Sequence, residues 1–215
     1  MNTVLPVFPE KLIISSDFSL ELDIAIENEE DIENYTFSQF ACSDIQASKA
    51  EIHHCTFSAG KLTNCTMTQF YFADIIFDQC DLAGTALSDS TFHRVIFKNC
   101  RLTGADFNDS IFEDCIFSNC QCEMGNFSGG KIRFTQFDTC QLARSSFESC
   151  HFKNISFKNC NLRSAELLHT RLKGIDLTSN AIEGIRISGK QELNGAIVSP
   201  EQAVDLAKLL GLIIQ

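Results

Sequence analysis

Every fifth residue of this chain is apolar, without a slip, over residues 32–187, beginning with Ile32 and closing with Ile187. So long an internal repeat has to be read before any local propensity. A five-residue period fits neither a straight helix nor a flat strand, whose side chains recur at about 3.6 and 2.0 residues. It fits a chain that turns a corner every five residues.

With the apolar position taken as the centre of each unit, fourteen of the nineteen Phe are centres, including Phe72, Phe92, Phe107, Phe112 and Phe127. Most other centres are Leu or Ile, as at Leu82, Leu102, Leu142 and Ile132. Two residues earlier the phase is mostly small, with Cys80, Ser90, Cys100, Ala105, Ser110 and Gly125 as examples. The other three phases carry almost all the charge. Each unit therefore turns one large and one small side chain inward and three outward. Four units make a square coil of twenty residues, a period visible on its own: Phe37, Phe57, Phe77, Phe97, Phe117, Phe137 and Phe157 recur every twenty, as do Cys80, Cys100, Cys120, Cys140 and Cys160. A coil rising by one strand spacing, roughly 4.8 Å, stacks like on like in this way. Residues 31–190 then predict about eight coils and a rod roughly 38 Å long, with each coil touching only its neighbours.

Units such as Ala105-Asp106-Phe107-Asn108-Asp109 and Cys160-Asn161-Leu162-Arg163-Ser164 resemble the A-(D/N)-(L/F)-x-x repeat of the pentapeptide-repeat family. The resemblance covers about three quarters of the chain and implies an all-β solenoid, a right-handed quadrilateral β-helix; the hand comes from the resemblance alone. The C-terminal stretch Leu193-Asn194-Gly195-Ala196-Ile197-Val198, then Gln202-Ala203 and Leu209-Leu210-Gly211-Leu212, is similar to the end of the family's Qnr quinolone-resistance branch. That resemblance implies a C-terminally joined homodimer acting on DNA gyrase and topoisomerase IV as a DNA-like rod. Many Qnr proteins interrupt the coils with loops, whereas this register is unbroken.

Open coil ends expose strand edges and core, so both need caps. Near the N-terminus Phe18, Leu20, Leu22, Ile24 and Ile26 alternate with Ser19, Glu21, Asp23 and Ala25, which predicts a strand leading into or pairing with the first coil. Residues 1–30 are thus expected to be a strand-containing cap, 31–190 the β-helix, and 191–215 a helix and tail. Ser199-Pro200-Glu201-Gln202 has the form of an N-cap, a first-turn Pro and a capping box, predicting a helix from 200 to about 210 that stops at Gly211. Its apolar content exceeds what a plug needs. Leu206, Leu209, Leu210, Leu212, Ile213 and Ile214 are the expected homodimer interface, two copies meeting end to end across a two-fold axis.

Eleven Cys would spell disulfides in a small secreted domain. Here nine fall in the small inward phase, and Cys42 and Cys122 are centres, a pattern of buried thiols packing as small hydrophobes. With no basic leader and no long apolar run, the expectation is a cytoplasmic protein without membrane contact.

The net charge of -11 comes wholly from residues 1–90, with fifteen acids and three bases against thirteen and fourteen in 91–215. Direct nucleic-acid binding wants the opposite sign; an acidic rod attracts a basic groove. Sorted by side, the outward residues around Leu87, Phe107, Phe127, Phe147 and Leu167 include Asp89, Asp106, Asp109, Glu148 and Glu166, with no Lys or Arg over 86–169. These five are the candidate partner-binding residues. The neighbouring side collects Arg94, Lys131, Arg133, Lys153, Arg171 and Lys173. A solvated surface produces such a split by chance; the alternative is a stripe imitating a row of phosphates.

Catalytic signals are absent. Gly125 to Ile132 nearly spells a phosphate loop but has Ile132 where a hydroxyl is needed, and its apolar and Gly positions are in repeat phase. His53-His54-Cys55 points Cys55 inward and both His outward, against a shared metal. His93, His151 and His169 have no partner at a diagnostic spacing, and no G-x-S-x-G elbow occurs. The expectation is a non-enzymatic protein with no cofactor and no metal, which binds a type II topoisomerase or serves as a scaffold for another protein.

Overall fold

The computed structural model describes residues 3–209 and 211–214. Its repeat is a four-faced parallel β-solenoid of about seven regular turns. The register is the twenty-residue period: Phe37 lies beside Phe57, Phe57 beside Phe77, Phe77 beside Phe97, and so on to Phe137 beside Phe157. All strand pairs are parallel, as successive turns of one coil must be.

Each corner is made the same way. The residue two after the centre is left-handed at every fifth position over 34–174, with φ between 48 and 78°. This turn aims its N–H along the rod, where it donates to a carbonyl of the next coil, as Gln39 does to Ser58 (2.9 Å), Asn99 to Ser118 (2.9 Å) and Thr139 to Lys158 (2.8 Å). A non-glycine residue held there costs on the order of 1–3 kcal/mol. The hydrogen bonds from coil to coil hold it in place.

Inside the rod, rings stack face to face. Along the Phe57 to Phe157 column the centroids are 4.7 to 5.1 Å apart, so the aromatic rise and the strand rise agree. Where Phe40 puts a ring into the small phase, the next coil has Gly60: a Cβ there would lie 1.9 Å from the Phe40 ring.

Many positions of the small phase also supply a hydrogen-bond donor, a role that spacing alone does not show. Cys100 Sγ donates to the Phe77 carbonyl (3.4 Å), Cys120 to Phe97 (3.3 Å) and Cys160 to Phe137 (3.3 Å). Ser110 and Thr170 do the same to Leu87 (3.1 Å) and Phe147 (2.6 Å). The thiols thus satisfy carbonyls of centre residues as well as fill space. All eleven Cys are free and buried, and burial pushes Cys55, Cys115 and Cys150 up to about 12.

At the N-terminus the structure corrects the expected strand. Residues Phe18–Asn28 form helix α1, with Phe18, Leu22 and Ala25 buried and Leu20, Ile24 and Ile26 exposed. Asp17 caps it, its Oδ1 accepting from Leu20 N–H at 3.0 Å. The alternation concealed a helical i, i+4, i+7 stripe. Phe18 plugs the mouth of the first coil, edge-on to Phe37 and Phe57 at 5.3 and 5.2 Å. The strand that does pair with the first coil is shorter and earlier: β1 (Ile13–Ser15) lies parallel to Tyr35–Ser38.

Preceding β1, the chain forms an extended strap along the corner that carries Asp74, Arg94, Asp114 and Phe134. Val7 N–H donates to Asp74 (2.9 Å), Val4 N–H to Asp114 (3.0 Å), and Thr3 Oγ1 to the Phe134 carbonyl (3.1 Å). The spacing is that of a chain lying parallel to the rod axis: three extended residues cover roughly the two coils between the carboxylates.

The C-terminal expectation is met more closely. After Ile187 the register slips, helix α2 (Lys190–Leu193) intervenes, and Asp176 bridges to Ile197, one residue beyond the twenty-residue step. Helix α3 (Pro200–Leu209) starts with the capping box, Gln202 N–H donating to Ser199 Oγ (3.3 Å) and Ser199 N–H to Gln202 Oε1 (2.8 Å). Gly211 has φ 85°. Gln202 Nε2 also donates to the carbonyls of Leu177 and Asn180, both at 2.8 Å, which fastens the cap to the last coil.

Replacing Phe117 by Asp should unfold or aggregate the rod, and Phe117→Ala should cost about 3–5 kcal/mol; thermal melting of soluble protein decides, and an unchanged melting temperature would refute the register. The thiols predict a pH effect of definite sign. Above their ordinary value of 9.0 they ionise only when unfolded, so the unfolded state holds fewer protons and stability falls as pH rises from about 9 towards 12. Melting curves at pH 8 and 10.5 should show the drop, and a native rod should resist thiol alkylation at pH 8.

Candidate protein-interaction faces

The five carboxylates expected to form a stripe do share one face, but they are not equivalent. Asp106 and Glu166 lie in one column, with Asn126 and Ser146 between them, through the bridges Asp106 to Asn126, Asn126 to Ser146 and Ser146 to Glu166. Asp89 and Asp109 occupy the adjoining left-handed corner. Glu148 projects from the column between.

Local contacts decide how much charge each presents. Asp106 Oδ1 accepts from Asn126 Nδ2 (2.8 Å) and Asn108 N–H (3.1 Å), which fixes its rotamer. Asp109 is exposed and accepts from Asn108 Nδ2 at 2.7 Å. Its carboxylate leans over Gly129, where a Cβ would come within 2.0 Å of Oδ1 and where φ is 70°. Asp89 and Glu148 have no ion-pair partner among the described residues. Glu166 does: Arg186, one coil on, forms a salt bridge with it. The stripe therefore ends at four uncompensated carboxylates, because Arg186 lies one coil beyond the 86–169 range over which this face is free of cations. Those four span roughly 14 Å of rod. Their density, about one per 5 Å, is below the one per 3.4 Å or so of a single DNA strand.

The neighbouring face is less basic than its composition. Arg94 is bound to Asp74, Nε to Oδ1 at 2.7 Å and Nη2 to Oδ2 at 2.6 Å. Burial alone would raise the Asp74 pKa, but the hydrogen bonds from Arg94 and from Val7 N–H outweigh it and hold the carboxyl below its usual range. His54 Nε2 lies 3.6 Å from the same carboxylate. This buried junction anchors the strap and was not read from the sequence, because Asp74 and Arg94 become neighbours only once the twenty-residue coil is closed. Lys131, Arg133, Lys153, Arg171 and Lys173 remain without a carboxylate partner among the described residues.

His53, His54 and Cys55 do not converge. Cys55 is buried and donates to the His53 carbonyl at 3.1 Å, and His54 turns to Asp74. His53 instead meets Glu51 at 3.2 Å and Asp31 at 3.9 Å, an ordinary surface pairing. The 125–132 segment follows the repeat, with Phe127 and Ile132 buried in the core.

Of the residues expected at a dimer interface, Leu206 is 7% exposed and belongs to the core that closes the last coil; a helix plugging a coil must turn one apolar residue inward, and α3 turns this one. Leu209, Leu212, Ile213 and Ile214 are exposed, Ile213 at 90%. Leu210 lies outside the described residues. No helix among the described residues is long and apolar enough to cross a membrane.

The family described as the pentapeptide repeat region matches residues 50–127 and 90–167, together more than half of the chain. The chain belongs to the pentapeptide-repeat family. Its fold is that family's right-handed quadrilateral β-helix. Among solved structures it is similar to full-length QnrB1, a plasmid-mediated fluoroquinolone resistance protein, at 20% identity over 85% of this chain and 91% of that one, with a TM-score of 0.44. It is similar to HetL of the cyanobacterium Nostoc, a pentapeptide-repeat protein involved in heterocyst differentiation regulation, at 11% identity over 83% and 93%, TM-score 0.42. A pentapeptide-repeat protein of the Arabidopsis thaliana thylakoid lumen shares 20% identity over 44% of this chain and 66% of that one, TM-score 0.42. No curated protein matches the chain in sequence.

Removing Arg94 should leave a buried carboxylate unpaired and cost about 3–5 kcal/mol. Asp74→Asn together with Arg94→Ala should recover part of that loss, which a double-mutant cycle on chemical denaturation measures. Equal losses in the single and double variants would remove Asp74 from the role of anchor.

Proposed function

We propose that this protein is a non-enzymatic binding rod whose acidic face occupies a basic, DNA-binding groove of a type II topoisomerase, gyrase or topoisomerase IV, in competition with DNA, and so lessens quinolone toxicity. The observation that carries the reading is the run of Asp89, Asp106, Asp109 and Glu148 on one rigid face with no cation among them. Each is held on a backbone whose corners are hydrogen-bonded to the next coil, so the charges meet a partner already positioned. The C-terminal resemblance to the Qnr branch supports the choice of partner. Four carboxylates at lower density than a phosphate row act chiefly on encounter rate and register, with a strong salt dependence.

A second reading, a scaffold for a different protein, is favoured by the loss of Glu166 to Arg186 and by a row of cations one face away. In both readings the exposed Leu209, Leu212, Ile213 and Ile214 join two rods end to end, with Leu206 left to its own coil. The eleven free thiols support a reducing, cytoplasmic setting.

Converting Asp89, Asp106 and Asp109 to Lys should abolish gyrase binding and drug-protected supercoiling while leaving melting nearly unchanged. The same exchange at Asp78 and Asp138, on the opposite face, should do much less. A parent protein that does not bind gyrase, or variants that bind alike, would hand the function to the second reading. For assembly, Ile213→Glu with Leu209→Glu should give monomers by sedimentation; a dimer that persists places the interface elsewhere.

A further inference from the structure

The coil-to-coil ladder opens on two adjacent faces near the C-terminal end. Up to residue 158 the same rungs repeat: Phe134 N–H donates to Lys153 (3.0 Å), His151 to Gly130 (2.8 Å) and Ser156 to Thr135 (3.1 Å). One coil later the corresponding amides of Asn154, Arg171 and Asp176 make no such bond. The strands His151–Lys153 and Ser156–Lys158 pair only with the coil before them. On the other two faces the same pair of coils stays joined, Leu162 N–H to Ala181 (2.7 Å) and Leu167 to Arg186 (2.8 Å). The last coil is therefore hinged open at one corner.

Sequence explains the splay in part. The small phase here holds Asn180 instead of Cys, Ser or Thr. Its longer amide bridges the gap, Oδ1 accepting from Cys160 N–H (2.8 Å) and Nδ2 donating to the Phe157 carbonyl (3.0 Å). The opening is a cleft of about 740 Å³ lined by Phe134, Asn154, Ile155, Lys158, Gly174 and Asp176 among others, with a smaller one of about 210 Å³ beside Arg171 and Lys173. Phe152 and Ile155 are the two inward residues it leaves partly uncovered. Unpaired strand edges over an apolar floor are the elements of β-strand addition.

The rim selects the occupant. Lys158, Arg171 and Lys173 have no ion-pair partner among the described residues, and Asp176 is the one acid in the lining. One coil before Asn154 the same corner holds the end of the strap, where Thr3 bonds to the Phe134 carbonyl; that segment runs along the rod axis and leaves the slot between the coils open. We propose that the cleft between residues 151–158 and 171–178 is a docking slot for an extended, acidic segment of a partner protein, which enters as an added parallel or antiparallel strand. Its length is that of a strand crossing this corner elsewhere, as Tyr71–Asp78 and Thr91–Lys98 do with 8 residues each. The slot lies off the acidic face and does not depend on the topoisomerase reading.

Hydrogen exchange on the full chain tests this directly. In the free protein the amides of Asn154, Arg171 and Asp176 should exchange at least a hundredfold faster than those of Phe134, His151 and Ser156. A blocked eight-residue peptide alternating Glu with Val should slow them, and its affinity should fall about tenfold in the variant Lys158→Glu with Lys173→Glu, whose melting should be unchanged. The same peptide with Lys in place of Glu should not bind. The proposal is overturned if those amides are already slow in the free rod, if the acidic peptide leaves them fast, or if a single-stranded oligonucleotide protects them better than the peptide does.

Discussion

The hydrogen bond from a left-handed corner residue to the coil beyond it is the constraint on which the rest of the rod depends. The residue two after each centre bends against its own steric preference, and at most corners its N–H meets a carbonyl of the next coil in that conformation; Asn154, at the opened corner, keeps the bend without the bond. One inserted residue would swing every later centre out of the core, much as a slip of one exchanges the faces of a strand. That is why the five-residue register shows no slip over 32–187, and why the chain abandons the repeat altogether, through α2 and α3, when it has to end. The outward side chains are free of this constraint. Partner-binding chemistry has been written there, on a lattice the core already sets.

How much was legible follows the same division. The coil, its register, the Phe column and the capping box of α3 were all readable, because each is a periodic or short-range signal that the structure repeats without change. α1 was misread since five alternating apolar residues satisfy a strand template and a helical stripe together; only the need to plug the first coil, and Asp17 as a cap, decides between them. Spacing shows the thiols as fillers because it shows size, while their bonds to the carbonyls of centre residues depend on where the coil places those carbonyls. Asp74 with Arg94, and Glu166 with Arg186, are pairs twenty residues apart. They are legible in the sequence only along a column of the closed coil, since a count by face separates neither pair from its surroundings.

Charge on this molecule is accordingly better described by column than by total. The net charge of -11 is the sum of an acidic first half, a short uncompensated run on the Phe107 face, and cations around the last two coils. Vertical pairs such as Arg101 with Asp81 and Arg163 with Glu183 cancel locally and, being exposed, contribute little to stability. What remains unpaired is therefore what a partner meets.

A stack of coils that touch only their neighbours unzips from its ends, one turn at a time, with little to hold the middle against a local break. The strap changes that behaviour. By joining Thr3, Val4 and Val7 to Phe134, Asp114 and Asp74, it bypasses nearest-neighbour contact and binds the central coils into one cooperative block. Under a pull applied at the two ends, those coils should yield together and at higher force than the coils beyond residue 150, which would peel away first.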